Sequence, residues 1–175
     1  METEDVVNLI LNYRHDVLNQ LQVVHGYIKL ENIEKVEANM SELLEYFVQE
    51  SKLISLNLPN VLLWFLQFRT RYENFKLTYD IDIEAKKIIE ADHFIVEKLE
   101  QTMRDVQEKC SDDIVYEVEI EFKDNIDYCE IAIYIDLEKN DEERINDSVL
   151  EDIDINIAEN ERRYSFQVSI NNEVK

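Results

Sequence analysis

The chain has 175 residues, enough for one domain or two small ones, and 45% of them are apolar, which supplies a real core and excludes a disordered chain. Its formal charge is −22, a surface that repels nucleic-acid phosphate and anionic lipid, so neither nucleic acid nor membrane is an expected partner. The acid is uneven, with 11 acidic against 6 basic residues in 1–75 and 29 against 12 in 76–175, which predicts two regions with different roles.

Residues 4–30 read as one long helix, with Thr3, Glu4 or Asp5 serving its start. Val7, Leu11, Leu18, Leu21 and Ile28 keep heptad-like spacing, Arg14 and His25 fill the remaining slots, and Ile10, Val17 and Val24 widen the apolar stripe. Glu31-Asn32 is a tight connection to a second helix over 33–56, carrying Ile33, Val36, Met40, Leu43, Phe47 and Ile54. So short a link makes the two helices antiparallel. Their stripes are too wide for one hairpin to bury, and a rod close to 40 Å long, at about 1.5 Å per residue, is hard for a small domain to cap. A homodimer with a four-helix bundle is the expected remedy; cover from the C-terminal half is the alternative.

Leu58-Pro59-Asn60 breaks the second helix and sets a boundary between 1–58 and 59–175. A third helix follows to about Tyr72, and its Trp64, Phe65 and Phe68 read as core. Leu77, Tyr79, Ile81 and Ile83 then alternate as a strand. Ala91–Cys110 is expected as a helix opened by Asp92. Val115–Phe122 and Tyr128–Leu137 are expected as strands joined by a turn at Asp124-Asn125. Asp141–Leu150 reads as a short helix, Ile153, Ile155 and Ile157 as an added strand, and Tyr164–Ile170 as the last one. The class is α+β: a helical hairpin, then a mostly antiparallel sheet covered by one or two helices.

Gly26 and Pro59 are the chain's one glycine and one proline. Phosphate cradles of the P-loop, dinucleotide or kinase-lid kind need glycines where backbone approaches phosphate, so ATP-driven kinase activity is not expected. Cys110 and Cys129 lack zinc-ligand spacing and read as free thiols, with a disulfide left open. His15, His25 and His93 are too scattered for a metal site. His25 reads as an interface residue and His93 as surface. The acidic start Met1-Glu2-Thr3-Glu4-Asp5 leads into no secretory signal, and the apolar run Val61–Phe68 is too short to span a bilayer. A cytoplasmic protein is expected.

The chemistry concentrates on the first helix. Asn8, Asn12, His15, Asn19 and Gln22 recur at intervals of four, three, four and three residues, one polar stripe with Asp16 at its edge. A solvated face normally mixes Glu and Lys, and asparagine costs helix propensity, so the stripe reads as a site. Imidazole is a good nucleophile near neutral pH and can accept a phosphoryl group. On pattern alone, a plain solvated histidine with amide neighbours explains it equally.

The run Arg14-His15-Asp16-Val17-Leu18-Asn19-Gln20-Leu21-Gln22 resembles the R-H-D-x-x-N-x-L-Q phosphoacceptor box of the sporulation initiation phosphotransferase B family and of related citrate and fumarate sensor kinases. Glu50-Ser51-Lys52-Leu53, followed by Pro59 and an aromatic-rich helix, looks like the phosphotransferases too. The resemblance implies a dimeric four-helix bundle and a degenerate histidine-kinase-ATPase-like C-terminal domain without a nucleotide site. His15 is then the phosphoacceptor. It takes the group from the aspartyl phosphate of a single-domain response regulator and gives it to a second regulator that is a transcription factor, in a sporulation phosphorelay. Asp16 or Asn19 would hold the second ring nitrogen, Arg14 would offset phosphate charge, and Asn8, Asn12 and Gln22 would meet the partner. The chain itself would bind no cofactor, with Mg²⁺ arriving with the regulator. Two other readings make it a non-catalytic dimeric adaptor or inhibitor of a histidine kinase or regulator, or an ATP-dependent sensor kinase.

Overall fold

The computed structural model describes residues 3–83, 88–111, 113–136, 150–158 and 161–170. The chain divides into two compact units, 1–52 and 53–175.

The first unit is a helical hairpin of α1 (Thr3–Lys29) and the greater part of α2 (Ile33–Ser55). The turn between them is short because each residue serves two ends. Glu31 takes a left-handed φ of 53° and its N–H reaches the Ile28 carbonyl at 3.0 Å, while Asn32 N–H reaches the Tyr27 carbonyl at 3.1 Å. That pair of bonds closes α1 in the manner usually given to glycine. Asn32 then starts α2, its Oδ1 accepting the Lys35 N–H at 3.1 Å.

On α2 the seam of the hairpin follows the expected apolar positions, whereas on α1 it runs beside the heptad positions, along the edge of the stripe that Val17 and Val24 widen. On α1, Val24 is buried and Leu9, Tyr13, Val17 and Tyr27 are half-buried; on α2, Leu43 is buried and Val36, Met40 and Phe47 are half-buried. Val7, Leu11, Leu18, Leu21 and Ile28 remain about half exposed, as do Leu44 and Val48 of α2. An antiparallel pair can bury one stripe per helix; these helices carry two adjacent stripes, and the second stays open.

The second unit is α+β, as the alternation of periods implied. α3 (Pro59–Arg71), β1 (Phe75–Asp82), α4 (Asp92–Gln107), β2 (Tyr116–Asp124), β3 (Tyr128–Asp136), β4 (Asp154–Ala158) and β5 (Glu161–Ser169) build a five-stranded sheet ordered β1-β2-β3-β5-β4. The β2–β3, β3–β5 and β4–β5 pairs are antiparallel. The β1–β2 pair is parallel, because α4 carries the chain back across the sheet. Asn125 N–H closes the β2–β3 hairpin on the Tyr128 carbonyl at 2.9 Å, where the turn was expected. The short helix expected over 141–150 lies outside the described residues, apart from Leu150.

One face of the sheet holds the core. Val61, Trp64, Phe65 and Phe68 of α3 and Ile95, Leu99, Met103 and Val106 of α4 pack over Val118, Ile120 and Phe122 of β2, Ile131, Ile133 and Ile135 of β3, and Tyr164, Phe166 and Val168 of β5. Each such side chain contributes about 1.5–3 kcal/mol through burial. Leu53 and Leu56, at the end of α2, belong to this core, so the division falls before the expected boundary at residue 58. Asp92 does more than open α4. Its buried carboxylate accepts Asn60 N–H at 3.0 Å, Asn60 Nδ2 at 2.7 Å and Val61 N–H at 2.9 Å, capping α3 from another helix.

Candidate phosphoacceptor site

Three faces of α1 can be separated at about 100° of rotation per residue. Leu9, Tyr13, Val17 and Val24 face α2. Val7, Leu11, Arg14, Leu18, Leu21, His25 and Ile28 form the open apolar stripe. Asn8, Asn12, His15, Asn19 and Gln22 lie roughly opposite α2, and all five are exposed. Every residue expected at the site therefore sits on one helix, with its amide stripe intact. Arg14 is exposed on the open apolar stripe, next to His15 but a step round the helix from it.

His15 has 70% of its side chain exposed, so a partner protein can reach it. Its Nδ1 lies 3.3 Å from Asp16 Oδ1. Asn19 Nδ2, one turn along, lies 3.2 Å from Nδ1 and 3.5 Å from Nε2. A carboxylate only accepts, whereas the amide nitrogen only donates. Asp16 thus favours the tautomer with the proton on Nδ1, which makes Nε2 the nucleophile, whereas Asn19, nearer to Nδ1 than to Nε2, favours the opposite tautomer, so the two neighbours compete for one nitrogen. Asp16 is less exposed, at 36% of its side chain, so it is held between the seam and the ring. The arrangement presents a nucleophilic nitrogen to solvent with its partner nitrogen oriented.

The other candidate groups stay apart. His25 and His93 are exposed. Cys110, partly exposed, and Cys129, buried, are thiols and not halves of a disulfide. Burial first, then the nearby Asp124 and Glu130, pushes the Cys129 thiol up to about 12. No group of three or more His, Cys, Asp or Glu among the described residues could hold a metal ion. No helix among them is long and apolar enough to cross a membrane.

Residues 1–56 match the protein family described as the Sensor kinase SpoOB-type, alpha-helical domain. The hairpin resembles SpoOB-type helical domains. Sporulation initiation phosphotransferase B of Bacillus subtilis (strain 168) is 29% identical over 102 residues, which cover 58% of this chain and 51% of the relative, so the match spans about half the relative's length. The resemblance read from Arg14–Gln22 is thereby borne out. Among solved structures, a histidine kinase ThkA in complex with response regulator protein TrrA is 11% identical, covers 96% of this chain and 63% of that one, and has a TM-score of 0.41. The Acinetobacter baumannii histidine kinase AdeS is 12% identical, covers 90% and 98%, and has a TM-score of 0.37. The SpoOB-like part includes the whole of α1 and its exposed histidine.

Tyr13 and Glu50 were passed over as partners in the sequence. Their signal was symmetry: each stands equally far from the Glu31-Asn32 turn (31 to 13 and 32 to 50), so an antiparallel hairpin brings them level. The Tyr13 hydroxyl donates to Glu50 Oε2 at 2.8 Å.

Proposed function

We propose that this chain is a phosphotransferase of a two-component phosphorelay, with His15 as its phosphoacceptor. One observation carries the reading: an exposed imidazole with Asp16 at Nδ1, on an uncharged amide stripe, within a hairpin that resembles SpoOB-type domains. The Nε2 lone pair attacks the phosphorus of a response regulator's aspartyl phosphate. The P–O bond to the aspartate breaks, the carboxylate leaves with the electron pair, and phosphohistidine remains. The proton on Nδ1 stays on the ring, hydrogen-bonded to the Asp16 carboxylate, throughout. Transfer to the aspartate of a second regulator, a transcription factor in a sporulation phosphorelay, runs the same exchange in reverse. Both phosphoryl groups are activated, so no ATP is spent and catalysis is in-line positioning with charge neutralisation. Arg14 supplies a nearby positive charge, Mg²⁺ comes with the regulator, and Asn8, Asn12, Asn19 and Gln22 offer hydrogen bonds to its surface.

A homodimer follows from the open stripe. Val7, Leu11, Leu18, Leu21 and Ile28 of α1, with Leu44 and Val48 of α2, form an apolar face that a second hairpin covers as a four-helix bundle, leaving the His15 stripe outside. The C-terminal domain is assigned a docking and stabilising role without nucleotide chemistry, since no glycine beyond Gly26 is available for a phosphate cradle. Incubation with a radiolabelled phosphorylated response regulator tests the reading. Acid-labile label on this chain, with none from labelled ATP alone, is expected. An unlabelled chain that still binds the regulator would favour the adaptor reading instead, and label from ATP would favour a sensor kinase.

A further inference from the structure

Glu50 belongs to the Glu50-Ser51-Lys52-Leu53 run that the phosphoacceptor chemistry leaves without a task. It sits on α2 level with Tyr13 and accepts that residue's hydroxyl at 2.8 Å. The hairpin seam also carries the half-buried apolar side chains Val17 on α1 and Phe47 on α2, with the half-buried Tyr46 near the Tyr13 hydroxyl. Apolar contacts tolerate sliding and rotation; a hydrogen bond to a carboxylate is directional and stronger than a neutral one. Burial, then the hydrogen bond and charge of Glu50, push the Tyr13 phenol well above its ordinary range, so it is a donor at any working pH.

Tyr13 is also one turn before Asp16 on the same flank of α1, and Asp16 is the group whose Oδ1 meets His15 Nδ1 at 3.3 Å. We propose that Tyr13 and Glu50 are positioning residues, whose bond sets the rotation of α1 against α2 and so holds Asp16 where it fixes the tautomer and aim of His15. The value of this for transfer rests on the phosphotransferase reading; the effect on the imidazole does not. A helix turned by even part of a residue step carries Asp16 along the seam and swings the exposed ring relative to an incoming aspartyl phosphate, and in-line transfer is sensitive to such displacement.

The test uses the full chain with Tyr13→Phe, Glu50→Gln, Glu50→Ala and the Tyr13→Phe/Glu50→Ala pair, each checked for helical circular dichroism. Long-range ¹H–¹⁵N spectra report the protonated nitrogen of His15 in the free protein. Uptake of label from a phosphorylated single-domain response regulator, over a range of regulator concentrations, separates maximal rate from half-saturation. Tyr13→Phe and Glu50→Ala are expected to lose the Nδ1–H preference and to lower the maximal rate about tenfold with half-saturation unchanged. Glu50→Gln, whose amide oxygen still accepts, should stay within about twofold of the parent, and the pair should be no worse than either single change. An unaltered His15 spectrum in Tyr13→Phe and Glu50→Ala overturns the proposal, as does equal loss in Glu50→Gln and Glu50→Ala. If the parent takes up no label, the phosphotransferase reading fails, and the imidazole spectra alone still decide whether Tyr13 and Glu50 position the ring.

Discussion

At the scale of residues, the account turns on the tautomer of one ring. Asp16→Ala removes the acceptor at Nδ1, and we expect phosphoryl uptake to slow roughly tenfold, about 1.4 kcal/mol in barrier, while regulator binding holds. Asp16→Asn, which keeps an accepting oxygen, should lose less; steady-state uptake over a regulator titration checks both. His15 and its amide stripe were legible because helical spacing alone places them on one face. Asp16 and Asn19 were both named as ring partners; that both reach Nδ1, at 3.3 and 3.2 Å, was not legible, because side-chain rotamers decide which ring nitrogen each one meets. Burial leaves a different mark at Cys129. Its thiol stays protonated in the native state up to about 12, whereas the unfolded thiol ionises near its ordinary 9.0. The native state therefore holds more protons above 9, and this residue's contribution to stability, full below that pH, is lost as pH rises toward 12. Thermal melts from pH 8 to 11 should show a falling midpoint, with a shallower fall in Cys129→Ala.

At the scale of elements, the strands were readable because the sheet buries one face, which keeps the period of two visible: Tyr116, Val118, Ile120 and Phe122 are buried and Glu117 and Glu119 are exposed. β5 begins earlier than its apolar run because buried Arg162 packs its guanidinium 5.0 Å from the Tyr164 ring, a charge that reads as surface in the sequence. The parallel β1–β2 pairing is a long-range choice that no local pattern encodes. The same holds for Asp92, whose partners at Asn60 and Val61 are some thirty residues away. Asp92→Ala strands donors at the start of α3, and chemical denaturation should register a loss of about 1–3 kcal/mol. Asp92→Asn, with one accepting oxygen left, should fall between that variant and the parent.

At the scale of the whole molecule, charge and the open stripe of α1 and α2 point the same way. A chain of net charge −22 repels copies of itself at long range, so self-association has to come from the apolar face, and salt strengthens it by screening. Leu18→Glu with Leu21→Glu puts charge on that face, at positions 47% and 45% exposed in the single chain. The proposed dimer predicts that sedimentation equilibrium shows a dimer for the parent and a monomer for this variant, with helicity retained. The stripe was visible in the heptads; which of the two stripes on α1 meets α2 was not, since periodicity marks apolar faces without assigning their partners.

The central claim is that His15 itself carries the phosphoryl group. The most direct measurement is peptide mapping at neutral pH after incubation with a phosphorylated response regulator, comparing the parent with His15→Ala. The account predicts an acid-labile phosphate on the peptide holding Arg14-His15-Asp16 and none anywhere on the variant. Phosphate on another residue, or equal labelling of His15→Ala, would contradict it.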